Sequence, residues 1–290
     1  MSGPDYQLPP MVLATSKDWL TEKLKAIEDH LNVDVLTLRG PILPFLDHKV
    51  REALEYLDPR RETLLVILDT GGGIVEIVER IVTTMRHYYD QVKFLVPDQA
   101  MSAGTVLVMS GDTIMMDHFS VLGPVDPQIQ KDDILVPALS YLIQYERLVE
   151  KSKKGTLSSA ELVMLQSLDL AELHTYELAK NLSIELIREW LIQYKFKDWT
   201  ITQEQAMPVT EEMKTERAHE IAEMLSKHDH WRSHGRGINM ETLRTDLNLK
   251  IDDFSADPIL KTHVRDYFWF LADYMNRAGF TDFVHSRVYS

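Results

Sequence analysis

The sequence predicts an α/β fold in which largely parallel strands are joined by helical crossovers. Short apolar runs typical of buried strands alternate with helix-period segments along the first half of the chain. Two of these runs end in turns rich in glycine or other small residues, at 69–73 and 98–105, and each turn opens a helix. The repeated order of strand, turn, helix and strand favours parallel pairing, because a parallel partner requires a crossover connection.

The elements of the predicted sheet occupy residues 33–116. An arm over 1–13 and a helix over 16–31 precede them, and the helix places Leu20, Leu24 and Ile27 at helical spacing. The predicted strands are 33–38, 64–68, 92–96 and 113–116. The helices between them are 48–57, 76–88 and the one that follows Ser102, and a loop over 117–128 ends this part.

The rest of the chain is predicted to be mostly helical. A helix over 137–154 is stopped by Gly155, and a capping box of Ser158 with Glu161 starts the next helix, which is expected to run to 194. A further helix covers 212–225, and a last one begins after Asp257-Pro258. The last helix is rich in aromatic residues, for which ordinary core packing and contact with a neighbouring subunit are both open: Tyr267, Phe268, Trp269, Phe270 and Tyr274.

Composition excludes several function classes. The 45 acidic residues against 31 basic ones give a formal net charge of −14, which repels phosphate backbones and anionic lipid headgroups, so nucleic-acid binding is disfavoured. The sequence has no cysteine, which rules out disulfides and thiolate nucleophiles. It also lacks a signal-peptide pattern at its start and any run of about 18 apolar residues. We therefore expect a soluble cytoplasmic protein without a membrane span.

Two turns carry the strongest functional signal. Ser102 lies between small residues, after an apolar strand and before a helix, a geometry that lifts a hydroxyl out of the sheet and aims helix amides at it. Asp69-Thr70-Gly71-Gly72-Gly73 follows the preceding strand, and its glycines permit close backbone approach, so that amides can bind a ligand oxygen. Together the turns predict a nucleophile beside an oxyanion site.

The stretch 64–128 resembles the superfamily of the Clp protease proteolytic subunit and signal peptide peptidase A. The motifs Ala100-Met101-Ser102-Ala103-Gly104-Thr105 and Leu122-Gly123-Pro124-Val125-Asp126-Pro127-Gln128 are most similar to its serine dehydrogenase proteinase branch, and 234–238 resembles a late Gly-Arg segment of the family. The resemblance implies a crotonase-type spiral of ββα units. It suggests an arm and helix over 1–32, a core domain over 33–255 and a helical extension over 256–290.

The resemblance implies two ways of activating Ser102. A Clp-type histidine would be expected near Asp126-Pro127, where none occurs, and the nearest, His118, has the character of a surface or structural residue. The alternative is a lysine base of the signal peptide peptidase type, at the end of the helix over 137–154. On a regular helix Lys153 falls on the inward stripe and Lys151 points away, so we rank Lys153 first, then Lys154, then Lys151. An alternative of equal weight is that these lysines do no more than complement the helix dipole.

For the oxyanion, the match to the family's Ser-Pro-Gly-Gly turn points to the Gly72 amide, with Ala103 as the second donor. Gly71 replaces the usual proline, which implies a looser turn. A simple strand-to-helix connection is the alternative for this turn. His228, Asp229, His230 and His234 lack the spacing of a zinc site, so we expect a solvated loop there, without metal or cofactor.

The resulting hypothesis is a serine peptidase that hydrolyses polypeptides through Ser102. The resemblance implies a homo-oligomeric ring that encloses the serine. It does not decide whether an ATPase or another protein is a partner. Two alternatives remain at this stage: a catalytically silent scaffold of the same fold, and a crotonase-like acyl-CoA enzyme. The second is weakened by the absence of an obvious basic nucleotide pocket.

Overall fold

The structure, a computed structural model, describes residues 10–125, 128–131, 134–202, 207–227 and 237–290. Its α-helices are α1 (Pro10–Leu31), α2 (Leu46–Glu55), α3 (Val75–Tyr88), α4 (Ala103–Met109), α5 (Ala138–Lys153), α6 (Ser159–Gln166), α7 (Leu170–Trp190), α8 (Glu211–Ser226), α9 (Met240–Thr245) and α10 (Pro258–Ala278). A π-helical segment, Leu191–Lys195, continues α7, and a 3-10 turn, Phe254–Ala256, precedes α10.

Within the described ranges, the strands form three sheets. They are β1 (Asp34–Arg39), β2 (Thr63–Asp69), β3 (Gln91–Leu95), β4 (Gln99–Ala100), β5 (Thr113–Met116), β6 (Val121–Leu122), β7 (Gln128–Lys131), β8 (Ile134–Pro137), β9 (Ile238–Asn239), β10 (Ile251–Asp253) and β11 (Phe283–His285). The main sheet has the order β10-β5-β3-β2-β1-β11, a smaller one the order β4-β6-β9, and β7 pairs with β8.

The main sheet is parallel except at one edge, where β11 runs antiparallel to β1. β1 and β2 are almost continuously buried, as expected of strands covered on both faces by helices. The predicted α/β class, with parallel strands and helical crossovers, is confirmed.

Helices pack on both faces of this sheet. On one face, α2, α3, α4, α7 and α8 enclose the larger hydrophobic core. On the other face, α1 and α10 enclose the second core, in which Leu20, Leu24 and Ile27 of α1 are 0% exposed, as their spacing predicted. The first and last helices therefore belong to the same packed body as the sheet.

The small sheet prolongs the main one towards the site. β4 follows β3 after a short turn and pairs in parallel with β6, while Thr70, just past the end of β2, forms a bridge with Ala100 of β4. Because the carboxyl ends of β2 and β3 lie at one edge of the sheet, the turns that follow them are held side by side.

The helices differ from the sequence prediction in two respects, and the loop expected after β5 differs in a third. α1 begins at Pro10 rather than near 16, and the helix expected from 158 to 194 is two helices, α6 and α7. The break occurs because Asp169 caps α7, with its carboxylate accepting the Ala171 amide at 2.8 Å. The loop expected over 117–128 contains strand β6 and the start of β7. Sequence periodicity across the 167–169 break gave no sign of it.

The aromatic residues of α10 divide between core and surface. Tyr267, Phe268 and Tyr274 are buried, whereas Trp269 is 68% exposed. Core packing therefore accounts for most of this cluster. No helix among the described residues combines the length and hydropathy that a membrane-spanning segment needs.

The C-terminal tail is tied to the start of the sheet by buried charges. Arg287 forms ion pairs with Glu28 of α1, at 3.0 Å, and with Asp34 of β1, and both carboxylates are almost fully buried. Tyr89 donates to Asp34 at 2.7 Å. Burial raises the pKa of Glu28 despite its pairing with Arg287. Without the arginine, two carboxylates would be buried without a counter-charge.

His285 of β11 is a second buried polar group at this edge. Its Nδ1 lies 2.9 Å from the Tyr267 hydroxyl, and its Nε2 lies 3.3 Å from the Thr21 hydroxyl. Burial, and to a smaller extent the charge of Lys17, lowers the pKa of His285 to about 3. The imidazole is therefore neutral in the folded protein at any ordinary pH.

We expect the free energy of unfolding to decrease as the pH falls from 6.5 towards about 3. The unfolded imidazole takes up a proton in this window and the buried one does not, so acid favours the unfolded state by about 1.4 kcal/mol per pH unit at most for one such group. Urea unfolding at several pH values should show this contribution in the wild type and not in His285→Gln. His118→Gln, at an exposed position, is the control. Equal pH dependence in wild type and His285→Gln would contradict the expectation.

Candidate active site

Ser102 occupies a strained turn between β4 and α4. It is the N-cap of α4, with φ 51° and ψ −114°, and its side chain is buried. A residue with a side chain avoids this conformation, which costs on the order of 1–3 kcal/mol and persists only where the surroundings impose it. Such strain is concentrated at functional sites. The position of the serine at the start of a helix points to a functional site as well.

The glycine turn after β2 lies against the serine. A Cβ on Gly72 would be 3.0 Å from the Ser102 Cβ and 2.8 Å from the Met101 carbonyl oxygen, so only glycine fits at this position. The Met101 amide donates to the Thr70 carbonyl at 3.0 Å, which holds the two turns together. The structure therefore brings Ser102 and the triple glycine into contact.

The backbone amides near Ser102 differ in their partners. The Ala103 amide donates to no acceptor within the described part of the chain, whereas the Gly72 amide donates to the Thr70 hydroxyl at 3.0 Å. The Gly72 amide, which the sequence analysis assigned to the oxyanion, therefore already donates to Thr70.

The amide of the next glycine, Gly73, is not engaged in this way. Ile42 bonds to the residues on either side of Gly73, donating to the Gly72 carbonyl and accepting from the Ile74 amide, both at 2.9 Å. The Gly73 amide takes part in neither of these bonds, and it has no acceptor among the described residues.

Asp69 anchors the start of the glycine turn. Its carboxylate pairs with Arg39 of β1, at 3.0 Å, and accepts the Gln99 amide. Burial raises the pKa of Asp69 to about 6, with the Arg39 charge opposing the rise and Asp98 adding to it. This carboxylate joins the carboxyl ends of β1 and β2 to the start of β4, and no described hydrogen bond aims it at Ser102.

The three candidate lysines lie at the end of α5 and just beyond it. Lys153 is 67% exposed and bonds to Glu150 at 2.9 Å, and this carboxylate raises the pKa of Lys153. Lys151 is partly buried and pairs with Glu161 of α6, while Lys154 is exposed. The prediction that Lys153 faces inward and Lys151 outward is wrong for this chain, because the packing of α5 against α7 leaves Lys153 in solvent.

The other residues that the sequence analysis named are either exposed or outside the described residues. His118 lies exposed in the turn between β5 and β6. Asp126 and Pro127 lie outside the described residues, as do His228, Asp229, His230, His234 and Arg236. Among the residues that the structure describes, no cluster of acidic and histidine side chains could hold a metal ion.

Sequence reasoning missed two threonines of the site. Thr70 accepts the Gly72 amide, and its methyl group leaves no room for a Cβ on Gly104, at 2.4 Å. The Thr105 hydroxyl is fully buried among backbone groups. Both lie within the motifs that drew attention, but a threonine in a turn or helix is too common to be a signal by itself.

Comparison with known sequences identifies a family for this chain. Residues 38–199, more than half of the chain, match the family described as ClpP-like SDH-type serine proteinase. An uncharacterized protein of Methanocaldococcus jannaschii, MJ1495, is 31% identical over 153 residues, which cover 51% of this chain and 50% of that protein. This chain therefore spans about half the length of that curated relative.

Solved structures with a similar arrangement include proteases. A mutant of the 1510-N membrane-bound stomatin-specific protease has a TM-score of 0.44 and 14% identity, covering 76% of this chain and 78% of its own. ClpP1 from Listeria monocytogenes has a TM-score of 0.32 and 15% identity, covering 56% of this chain and 92% of its own.

We expect the glycines of the turn to differ sharply in tolerance. A Cβ on Gly73 would lie 2.1 Å from the Ile42 carbonyl oxygen, whereas one on Gly71 would meet nothing within 4 Å. Gly73→Ala should lower the free energy of unfolding by about 1–3 kcal/mol or more, and Gly71→Ala should stay within about 0.5 kcal/mol of the wild type. Urea unfolding measures both. Similar losses in the two variants would show that the turn is not confined as described.

Proposed function

Because the chain belongs to the ClpP-like SDH-type serine proteinase family, we propose that it hydrolyses peptide bonds with Ser102 as the nucleophile. The observation that carries the assignment is the strained N-cap serine in contact with the glycine turn. A serine hydroxyl at a helix start gains from the amides directed at it, both in orientation and in stabilisation of negative charge.

The oxyanion site is formed by the amides of Ala103 and Gly73. Both amides have no acceptor in the described residues, and both belong to turns that flank Ser102. The Gly72 amide is occupied by Thr70, so Gly72 contributes by the close approach that its missing side chain allows. Backbone donors fixed before the reaction stabilise the tetrahedral intermediate without reorganisation.

The proposed reaction proceeds through an acyl-enzyme. A lysine base takes the proton from the Ser102 hydroxyl as its oxygen attacks the peptide carbonyl carbon. The carbonyl oxygen becomes negatively charged and is held by the two amides. The C–N bond then breaks, the proton passes to the leaving amine, and water releases the acyl group.

The base is proposed to come from Lys151, Lys153 or Lys154. A lysine acts as a base only when its ammonium is removed from water and its pKa falls. In one chain Lys153 is 67% exposed and paired with Glu150, so its use requires that a neighbouring subunit cover it. Because Lys153 is exposed and Lys151 is the more buried of the two, the inward position that ranked Lys153 first is lost, and the three lysines are proposed without an order of preference.

Assembly into a homo-oligomer is part of the proposal. Helix α6 buries none of its residues, and Leu162, Val163 and Met164 are 45–65% exposed. Leu170 and Leu178 of α7 are also exposed. This apolar surface beside the lysine segment supports contact between subunits, with a polypeptide as the substrate.

Ser102→Ala should abolish labelling by a fluorophosphonate probe and hydrolysis of labelled casein. The nucleophilic oxygen is absent in this variant, while the backbone amides remain. Ser110→Ala, which removes a buried hydroxyl from the other end of α4, is the matched control and should react like the wild type. If Ser102→Ala labels as well as the wild type, Ser102 is not the nucleophile.

Single alanine substitutions of the three lysines should identify the base. The variant that lacks the base should lose activity by about 10²–10⁴-fold, while the other two serve as controls. Glu150→Gln adds a pH test for Lys153, because Glu150 raises the pKa of that lysine. If Lys153 is the base, removal of the Glu150 charge should lower the pKa of Lys153 and move the rising limb of the pH–rate profile to lower pH. Three active alanine variants would exclude this segment.

A further inference from the structure

The hydroxyl of Thr105 makes a buried junction in the first turn of α4. Its oxygen lies 2.8 Å from the Ala100 carbonyl oxygen and 2.7 Å from the Gly123 carbonyl oxygen. It also accepts the Gly123 amide at 3.1 Å. Thr105 is 0% exposed, so water does not compete for these groups.

The three residues at this junction surround the serine turn. Ala100 ends β4, two residues before Ser102, and Thr105 follows Ser102 by three residues. Gly123 comes directly after β6, the strand that pairs with β4, and its amide is also 3.0 Å from the Ala100 carbonyl oxygen. One hydroxyl therefore connects the strand that enters the turn, the helix that leaves it and the neighbouring strand.

The other hydrogen bonds of the turn hold it in a different way. Gly104 donates to the Met101 carbonyl at 2.8 Å and Thr105 donates to the Ser102 carbonyl at 2.9 Å, but both bonds lie within the turn and would move with it. The bond from the Met101 amide to the Thr70 carbonyl fixes the residues before Ser102. The residues after Ser102 are tied to the small sheet by the Thr105 hydroxyl.

We infer that Thr105 is a positioning residue for Ser102, an inference that rests on the proposed function for its kinetic test. Its hydroxyl keeps the serine in the disfavoured backbone conformation and keeps the Ala103 amide directed at the reacting carbonyl. A hydroxyl has one proton, so it donates to one carbonyl at a time while it accepts from Gly123. The branched side chain restricts χ1 and holds the oxygen between these partners.

Three variants test the inference. Thr105→Val keeps the shape and removes the hydroxyl, Thr105→Ser keeps the hydroxyl, and Ser110→Ala removes another buried hydroxyl from α4, where it donates to the Leu107 carbonyl at 2.7 Å. The measurements are kcat and KM on labelled casein and the rate of inactivation by a fluorophosphonate.

Thr105→Val should lower kcat and the inactivation rate by about tenfold or more, because small displacements of a nucleophile are costly, and KM should stay within about twofold. Thr105→Ser should recover most of the rate, and Ser110→Ala should keep it. A purely structural role would affect Thr105→Val and Ser110→Ala alike, and that result would overturn the inference. Failure of Thr105→Ser to exceed Thr105→Val would overturn it as well. If Thr105→Val does not fold, Thr105→Cys, with a weak donor of similar size, takes its place.

A separate measurement distinguishes failure of this inference from failure of the proposed function. If the wild type shows no reaction that depends on Ser102, the peptidase proposal falls and the kinetic test does not apply. Amide hydrogen exchange then decides on Thr105: the amides of residues 104–106 should exchange faster in Thr105→Val than in Ser110→Ala. Equal exchange in the two variants would overturn the positioning role.

Discussion

The close approach of two backbone segments at one edge of the sheet determines the rest of the site. The chain after β2 runs between Ile42 on one side and the turn at Met101 and Ser102 on the other, and neither side leaves space for a Cβ at Gly72 or Gly73. Parallel strands make this arrangement possible, since their carboxyl ends meet at the same edge. The serine, its strained backbone and the nearby amides all follow from how closely these segments pack.

The candidate site combines a rigid part and a separately packed part. The serine turn and the glycine turn are held by the sheet and by the larger core. The lysine segment belongs to a small cluster of α5 and the start of α7, built on Leu142, Leu173 and Tyr176. Under the proposed function, the nucleophile and the oxyanion donors are fixed by the fold of one chain, whereas the environment of the lysines depends on what covers this cluster. Under the proposed function, chemistry and assembly are coupled at this boundary.

The sequence was informative where a residue's role is local and less so where it depends on packing between distant elements. Strand and helix periods predicted the sheet and the buried stripe of α1, and small residues around Ser102 and Gly72 predicted their juxtaposition. The break before α7 depends on one capping aspartate, and the exposure of Lys153 on how α5 meets α7. The occupation of the Gly72 amide depends on a hydroxyl two residues away, which periodicity does not reveal.

The pairing of β1 with both β2 and β11 has a consequence for biosynthesis. β11 follows every other described strand in the sequence, so the edge of β1 that pairs with β11 stays unpaired until that part of the chain has been synthesised. An uncovered strand edge is a template for pairing with other chains. Arg287 arrives at the same late moment, and until then Glu28 and Asp34 keep their charges hydrated. This edge of the sheet therefore closes only after β11 has been synthesised.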